Sequence, residues 1–215
     1  MQEFGTPNFR RVGQSAIVLE FTDAGMREQR RLWALARAAR EWTHVAEAVV
    51  GAGNLTVVFD RGAVDDEAMR AQLESGWKHA ADEAVKERTV EIAVRYGGDE
   101  GEDLGDVARA CGMREDEAIA LHAGATHVVA FVGFLPGFAY LDGLPERLHR
   151  PRRAQPRARV PAGSVAVAGA QSAVYPFDSP GGWHIIGRTA QRMFDPEREP
   201  AALLQPGDCV RFVPV

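Results

Sequence analysis

The strongest indication of the fold is the stretch VPAGSVAVAGAQSAVYP, residues 160–176. Its centre, SVAVAG, is a short run of small and β-branched apolar residues that begins at Ser164. A strand pattern this rich in alanine and glycine lets backbones approach closely, either one another or a ligand. The stretch therefore predicts a strand of a small, tightly packed β-barrel.

Similar short β-type runs occur on both sides of this stretch, from residue 127 onward. They are HVVAFVGF, HIIG and CVRFV, which begin at His127, His184 and Cys209. Proline and glycine separate these runs, and most of the twelve prolines lie in this half of the chain. Short strands with such connections are typical of a compact β-barrel or sandwich with long ordered loops.

Residues 1–87 show a different pattern, in which strands alternate with helices. Strands are predicted at residues 16–21 and 55–60, where apolar residues alternate or cluster. Asp65 favours the start of a helix after the second strand. An earlier helix is indicated by apolar residues at helical spacing, which are Leu32, Leu35, Ala36 and Ala39. Two helices that cover a small sheet predict an α+β sandwich.

The boundary between the two halves lies near TVEIAVR, residues 89–95, a strand pattern that either closes the first unit or opens the second. We place it in the second and predict two domains, over residues 1–87 and 88–215. The next segment, YGGDEGED, is rich in glycine and acids and is predicted to be a turn or linker. Two short helices follow it, and His122 closes the second, as the helix dipole favours.

The composition disfavours several classes of protein. The chain has 215 residues, 46% of them hydrophobic, and a formal net charge of −5, which argues against nucleic-acid binding. No apolar run approaches the roughly 18 residues that a membrane span needs, and no secretory signal is expected. Cys111 and Cys209 fit two reduced thiols of a cytoplasmic protein.

Common cofactor motifs are also absent from the sequence. The six histidines show no metal-ligand spacing, there is no CxxC pair, and no nucleotide P-loop occurs. We therefore expect no metal and assign no catalytic residue.

An aromatic and glycine-rich stretch, FVGFLPGFAYLDGLPERL at residues 131–148, is the first candidate for a binding site. Gly137 lets the backbone approach a ligand closely, and Pro136 keeps the loop rigid. Phe138 and Tyr140 lie beside them and would form the wall of a pocket. A loop packed by its own aromatic rings gives the same pattern, and both interpretations hold together.

Arginine is concentrated in RLHRPRRAQPRAR, residues 147–159, with six arginines in 13 residues of an acidic chain. Arginine suits bidentate recognition of carboxylate or phosphate, so this loop predicts a site for an anionic substrate or an acidic partner surface. A solvated basic loop is the alternative. Arg152 and Arg157 are the preferred candidates because adjacent prolines restrict the backbone near them.

Two further segments complete the set of candidates. Gln171 follows a Gly-Ala turn, and its amide either recognises an amide or carboxylate or caps the turn. In SPGGWHIIGRT, residues 179–189, the Pro-Gly-Gly segment predicts a sharp turn with positive φ. Trp183 then closes a pocket wall or fills the core, and the following strand carries Arg188 towards a ligand or a partner.

Several of these motifs occur in the same order in a known family. They are VRYGGDEGEDL, GFLPGFAYLDGLP, two Pro-Arg pairs, VPAGSVAVAGAQ, YP and SPGGWHIIGRT. Over residues 9–215 the chain resembles the KipI / allophanate hydrolase subunit 1 family, whose bacterial members are the B subunit of a three-part ATP-dependent 5-oxoprolinase. The resemblance implies an α+β N-terminal domain followed by a mainly β, cyclophilin-like barrel domain.

The resemblance also implies a function that needs partners, the A and C subunits of 5-oxoprolinase. The larger C subunit would pair with this chain, and the A subunit would hydrolyse the lactam. The complex would use ATP to activate 5-oxoproline for ring opening to glutamate. The resemblance places the following residues at or near a substrate pocket shared with the C subunit: Gly137, Phe138, Tyr140, Arg152, Arg157, Ser164, Gln171, Trp183 and Arg188.

Other functions remain open at this point. The resemblance equally admits an inhibitor of a sporulation-type histidine kinase, or a carboxylase-hydrolase component of an allophanate or urea pathway. Prolyl isomerisation is disfavoured, because a barrel fold does not by itself fix a function. His122 and Asp103 are outside candidates for proton transfer, since both would equally cap or brace the helix pair.

Overall fold

The computed structural model of this protein describes residues 5–81 and 88–215, which fall into two compact units. The predicted boundary after residue 87 adjoins the segment 82–87, which lies outside the described residues. The two-domain arrangement therefore stays a prediction, and each unit is described by itself.

The first unit is a four-stranded antiparallel sheet with two helices that share its core. The strand order is β1-β2-β4-β3. The elements are β1 (Asn8–Val12), β2 (Ala16–Glu20), α1 (Met26–Arg40), β3 (Val45–Gly51), β4 (Asn54–Phe59) and α2 (Asp66–His79). All four apolar residues of the predicted first helix are buried in α1. Asp65 caps α2, because its carboxylate accepts a hydrogen bond from the Ala68 N–H.

The second unit is built around a closed barrel of seven strands, so the barrel predicted for this half is confirmed. Its first elements are β5 (Thr89–Tyr96), α3 (Leu104–Ala110), α4 (Glu115–Gly124), β6 (His127–Val132) and β7 (Ala139–Asp142). The remaining strands are β8 (Arg157–Val160), β9 (Ser164–Ala168), β10 (Gln171–Val174), β11 (Ser179–Gly181), β12 (His184–Arg188) and β13 (Cys209–Pro214). The order around the barrel is β10-β7-β6-β13-β5-β12-β9, and β8 pairs with β11 in a separate ribbon.

The segment 89–95, which the sequence allows in either unit, lies in the barrel. β5 runs parallel to β13 and antiparallel to β12, and its inward residues Ile92 and Val94 are fully buried. The barrel therefore combines strands from both ends of the unit, and a cyclophilin-like barrel remains the expectation from the resemblance.

The alanine-rich strand β9 is buried on both of its faces. Val165 and Val167 belong to the large core of the barrel, whereas Ala166 and Ala168 belong to a second cluster that contains several aromatic rings. Alternate residues of a strand point to opposite faces, so one strand supplies both clusters. The small alanine side chains leave room for aromatic rings to pack on the outer face of the sheet, and this face becomes the floor of the candidate site.

The helices of the protein are short and carry polar faces. None of those within residues 5–81 and 88–215 is long and apolar enough to cross a bilayer.

Candidate functional site

A small pocket lined by aromatic residues lies in the second unit. It has a volume of about 220 Å³. Its lining residues, named here the aromatic pocket, are Phe134, Phe138, Tyr140, Arg152, Pro156, Tyr175, Pro180, Gly181, Gly182 and Trp183. Four of the nine residues predicted from the sequence meet here, namely Phe138, Tyr140, Arg152 and Trp183. The glycine-aromatic loop, the arginine-rich loop and the Pro-Gly-Gly-Trp segment therefore converge on one concave surface.

Phe138 is the centre of the pocket floor. Its ring makes edge-to-face contacts with Tyr140, Tyr175 and Trp183, at centroid distances of 4.9, 5.2 and 5.9 Å. Phe138, Tyr175 and Trp183 are all buried. Edge-to-face packing of this kind is favourable beyond simple burial and fixes the orientation of each ring. Trp183 consequently fills the outer core and forms a pocket wall at the same time.

The polar groups of the pocket are one guanidinium and two phenol hydroxyls. Arg152 is exposed at the pocket and makes no hydrogen bond or ion pair with any residue that the structure describes. Burial raises the pKa of Tyr140 and of Tyr175, although the nearby Arg152 acts against this shift. Both phenols are therefore protonated at neutral pH and able to donate hydrogen bonds, beside an uncompensated positive charge.

The Pro-Gly-Gly segment differs from its prediction. Gly181 lies in the strand β11, opposite Arg157, and positive φ occurs at neither Gly181 nor Gly182. Glycine is needed at position 181 for space, because a Cβ atom there would overlap the hydroxyl of Tyr175. The segment is therefore extended, and the glycine lets the Tyr175 phenol lie against the backbone of the pocket wall.

We expect Gly181→Ala to lower the free energy of unfolding by about 1–3 kcal/mol, because the added methyl group overpacks the site beside Tyr175. Gly182→Ala is the matched control, since a Cβ atom there would meet Pro156 at an ordinary distance of 3.6 Å. Thermal unfolding of both variants measures the difference. Equal stability of the two variants would show that the Tyr175 ring moves aside without cost.

A buried carboxylate, Asp103, anchors the arginine-rich loop that carries Arg152. Arg157 donates two hydrogen bonds to Asp103, at 2.8 and 2.9 Å, and Arg153 donates a third at 2.7 Å. The backbone N–H of Ile185 donates a fourth, also at 2.7 Å. Burial opposes ionisation of Asp103, but these donors outweigh it and hold the pKa of the carboxyl below its ordinary value.

Two further bonds attach the same loop to the residues on either side of Trp183. The Arg153 N–H donates to the Gly182 carbonyl at 2.8 Å, and His184 Nε2 bonds the Pro151 carbonyl at 3.0 Å. Arg152 lies between Pro151 and Arg153, so its backbone is held on both sides while its side chain stays free to reach a ligand. Asp103 is thus a positioning residue, whereas the sequence offered it as an outside candidate for proton transfer or as a cap or brace of the helix pair.

The three arginines predicted for one pocket lie in three different settings. Arg152 lines the aromatic pocket, whereas Arg157 is paired with Asp103 and, through Nε, with Glu102 at 2.9 Å. Arg188 lines a separate cleft and donates from Nε to the Ala162 carbonyl at 3.0 Å. Of the three, Arg152 alone combines a position in the aromatic pocket with the absence of an ion-pair partner among the described residues.

The cleft that contains Arg188 is larger, about 620 Å³, and more polar. Its lining residues, named here the arginine cleft, are Arg95, Glu100, Ala162, Gly163, Pro176, Phe177, Arg188, Thr189, Ala190, Gln191, Arg192, Phe194 and Pro196. Arg95 forms an ion pair with Glu100, and Arg192 forms one with Asp195. Most of the positive charge of this cleft is therefore balanced by carboxylates of the same chain.

The other three predicted site residues lie outside both depressions. Gly137 has a φ of +79° and packs against Phe194, Ser164 is buried at the start of β9, and Gln171 donates to Asp142 at 2.7 Å. Gly137 shapes the loop that carries Phe138, which is an indirect contribution to the pocket. Substrate binding by these three residues stays a prediction from the resemblance.

His122 lies in the last turn of α4, as predicted, but it is a buried core residue and does not balance the helix dipole as a cation. Its Nδ1 bonds the Tyr96 hydroxyl at 2.7 Å, and its Nε2 bonds the Ser172 hydroxyl at 2.9 Å. Burial, together with the neighbouring His127, lowers the pKa of His122 well below its ordinary value. The imidazole is therefore neutral, and it links α4 to the barrel instead of balancing a helix dipole.

The side chains that could bind a metal ion do not form a cluster in the described part of the chain. Within residues 5–81 and 88–215, no three His, Cys, Asp or Glu side chains are grouped in a way that would hold a metal ion. The groups that the aromatic pocket itself offers to a ligand are its arginine, its phenols and its rings.

Comparisons with known proteins identify a family and several relatives that match most of the chain. The family described as carboxyltransferase domain, subdomain C and D, matches residues 7–204. The B subunit of 5-oxoprolinase from Escherichia coli O157:H7 is 44% identical over 206 residues, which are 94% of each chain. The protein of the same name from Haemophilus influenzae is 43% identical over 203 residues, 94% of this chain and 95% of its own.

Solved structures show the same relationship at the level of the fold. The structure of TTHA0988 is 37% identical with a TM-score of 0.81, and the match covers 93% of this chain but 39% of that longer one. Urea amidolyase of K. lactis is 18% identical with a TM-score of 0.80, over 97% of this chain and 15% of that one, which shows a shared fold alone. The chain therefore belongs to the family of the carboxyltransferase domain, subdomain C and D, and the resemblance to the B subunit of 5-oxoprolinase that its motifs indicated is confirmed.

Proposed function

We propose that this chain is the B subunit of an ATP-dependent 5-oxoprolinase and that its aromatic pocket binds 5-oxoproline for ring opening to glutamate. The observation that carries the proposal is Arg152, a guanidinium at a pocket of aromatic rings with no ion-pair partner among the described residues. Relatives named as the B subunit of 5-oxoprolinase match the chain over nearly their full length and support the same assignment.

The pocket complements each part of 5-oxoproline. The substrate carries a carboxylate and a lactam amide on one compact ring, and Arg152 suits bidentate pairing with the carboxylate. The faces of the ring are apolar and fit against Phe138 and Trp183. The hydroxyls of Tyr140 and Tyr175 remain as donors for the lactam oxygen, because phenols are protonated at neutral pH and burial raises the pKa of both further.

The role of this chain in the reaction is to bind and orient the lactam. A lactam is a stable amide, and the complex uses ATP to activate its oxygen. Phenol donors near that oxygen hold it in one position, which makes its activation effectively unimolecular once the substrate is bound. We assign no general base to this chain, since His122 is a neutral core residue and Asp103 is held as a buried carboxylate.

ATP is a co-substrate of the proposed complex and does not fit the aromatic pocket. A volume of about 220 Å³ with one arginine suits a small monocarboxylate, whereas a nucleoside triphosphate needs more room and more positive charge. ATP therefore binds elsewhere in the complex.

The partners in this proposal are the larger C subunit and the lactam-hydrolysing A subunit. In TTHA0988 the region that matches this chain is 39% of the sequence, so the relative joins the same fold to further polypeptide. Arg152 is exposed, and 60% of the Phe134 surface at the same pocket is exposed to solvent. An adjoining C subunit would exclude water from this open side of the pocket.

The proposal is tested by co-purifying this chain with the A and C subunits and measuring glutamate release from 5-oxoproline. We expect release that requires ATP and all three subunits. The proposal is wrong if the intact trio releases no glutamate, and binding of this chain to a histidine-kinase dimerisation domain would then favour the inhibitor function. ATP-dependent turnover of a urea derivative in place of 5-oxoproline would favour the allophanate or urea pathway.

A further inference from the structure

Phe134 has an unusual backbone conformation at the mouth of the aromatic pocket. Among residues 5–81 and 88–215 it is the single non-glycine residue with positive φ, at +68°. The Leu135 N–H donates to the Gly133 carbonyl at 2.8 Å, which closes a three-residue turn around Phe134. A turn of this kind with positive φ at its centre is the rare and strained form of the γ-turn.

A phenylalanine at this position is unfavourable for folding in two respects. Positive φ brings its Cβ into conflict with the backbone, a conflict that glycine avoids. The residue is also 60% exposed, so its ring gains little from burial. Glycine would relieve the strain and remove the exposed apolar surface. The stability of the fold therefore does not explain why position 134 holds a phenylalanine.

The strained turn does determine where the ring lies. A hydrogen bond of 3.1 Å from the Gly133 N–H to the Phe138 carbonyl closes the β6–β7 connection, so the loop is held at its base. The Phe134 ring makes an edge-to-face contact with Phe138 at 5.3 Å, and it lines the aromatic pocket. One part of the ring thus faces the pocket floor while the rest stays free to contact a bound molecule.

We propose that Phe134 is a specificity-determining residue whose ring contacts the ligand and shields it from water when the pocket is filled. This inference rests on the proposed function, because it takes a small ring-bearing carboxylate as the ligand. A compact apolar ring covers the exposed part of Phe134, and the phenylalanine in turn excludes water from the neighbouring Arg152–carboxylate pair. Exclusion of water strengthens that pair, so an acyclic carboxylate of similar charge binds less well.

The test compares Phe134→Gly and Phe134→Ala in the assembled three-subunit complex and in the isolated full chain. We expect both variants to raise the KM for 5-oxoproline about tenfold, with a much smaller change in kcat, because a contact to the bound ring is lost. The isolated Phe134→Gly chain should keep at least the Tm of the wild type. It should also melt about 2–4 °C above Phe134→Ala, which retains the strained φ.

Phe177→Ala is the matched control, because Phe177 is also exposed, at 41%, but lines the arginine cleft. It should leave the KM unchanged. An active complex in which Phe134→Gly leaves the KM unchanged would overturn the inference alone, whatever the Tm of the isolated chain. Weaker binding of the C subunit, with an unchanged KM once the complex is assembled, would also overturn it. A wild-type complex that releases no glutamate from 5-oxoproline would overturn the inference together with the proposed function.

Discussion

Asp103→Ala is expected to destabilise the barrel unit by about 3 kcal/mol or more, one of the largest effects of any single substitution in this chain. The carboxylate is buried and accepts hydrogen bonds from Arg153, Arg157 and the backbone N–H of Ile185. Its removal leaves two neighbouring guanidinium groups without their main acceptor and one backbone donor unsatisfied. Partly exposed arginines recover some hydration, which places the loss towards the lower end of the range for buried ion pairs.

Chemical denaturation of the isolated chain measures this loss, and Asp106→Ala is the control. Asp106, in the first turn of α3, forms an exposed pair with Arg109, and pairs of this kind contribute at most about 1 kcal/mol. Asp103→Asn shows how much of the loss of stability is due to the charge, because the amide has nearly the same shape and keeps one acceptor for the Ile185 N–H. Stability of Asp103→Ala equal to that of the Asp106 control would contradict the anchoring role of Asp103.

The ionisation of Asp103 should make the stability of the fold depend on pH, with a sign that follows from its pKa shift. The pKa of Asp103 is lower in the folded chain than in the unfolded one, so its contribution to stability is full above the unfolded value of about 4. The contribution is lost as the pH falls through the lower folded pKa. The difference in stability between wild type and Asp103→Asn should therefore be constant near neutral pH and shrink below about pH 4. A difference that grew on acidification would contradict the lowered pKa.

The strands of the barrel could be predicted from the sequence where they are long or alternate clearly. β5, β6, β9, β12 and β13 all coincide with predicted runs. The strands β7, β8, β10 and β11 have only three or four residues, which is too short for alternation to be recognised. β8 lies inside the arginine-rich stretch and β11 inside the Pro-Gly-Gly segment, where composition indicates a loop or turn.

The composition of the candidate site was easier to predict than its geometry. Glycine, aromatic and arginine residues in adjoining motifs indicate a pocket, and Phe138, Tyr140, Arg152 and Trp183 do meet in one. Whether a given arginine faces a ligand or a carboxylate of its own chain depends on residues about fifty positions away, as Arg157 and Asp103 show. The acidic segment before α3 and the arginine-rich loop have complementary charges, a sequence signal from which this pair could have been predicted.

The backbone of the site was the least predictable part. A phenylalanine with positive φ contradicts the usual preference for glycine, so Phe134 cannot be found from turn statistics. The two glycines before Trp183 suggested positive φ, yet Gly181 is needed for the space taken by Tyr175. In both cases tertiary contacts of the pocket determine the residue, and local propensity does not.

Arg152→Ala is expected to raise the KM for 5-oxoproline about tenfold or more in the assembled complex, with a much smaller effect on kcat. A hydrogen-bonded pair between an arginine and a carboxylate contributes roughly 1.5–3 kcal/mol, and 1.4 kcal/mol corresponds to a factor of ten in affinity. The carboxylate of the lactam is attached to the ring carbon next to the amide nitrogen, but it takes no part in the activation of the carbonyl oxygen. We therefore expect its binding to be equally strong before and during activation. When an interaction is equally strong in the bound substrate and in the transition state, its loss raises KM and leaves kcat largely unchanged.

The stability of Arg152→Ala should equal that of the wild type, since Arg152 has no hydrogen bond or ion pair to lose among the described residues. Arg159→Ala is the matched control, because Arg159 belongs to the same arginine-rich stretch but pairs with Asp178 at the surface. Arg152→Lys keeps the charge without the bidentate geometry and should have an intermediate KM. Steady-state kinetics with 5-oxoproline as the varied substrate separates these cases. An unchanged KM in Arg152→Ala would mean that the lactam carboxylate is bound elsewhere, and the aromatic pocket would then lose the one charged group that suits it to an anionic substrate.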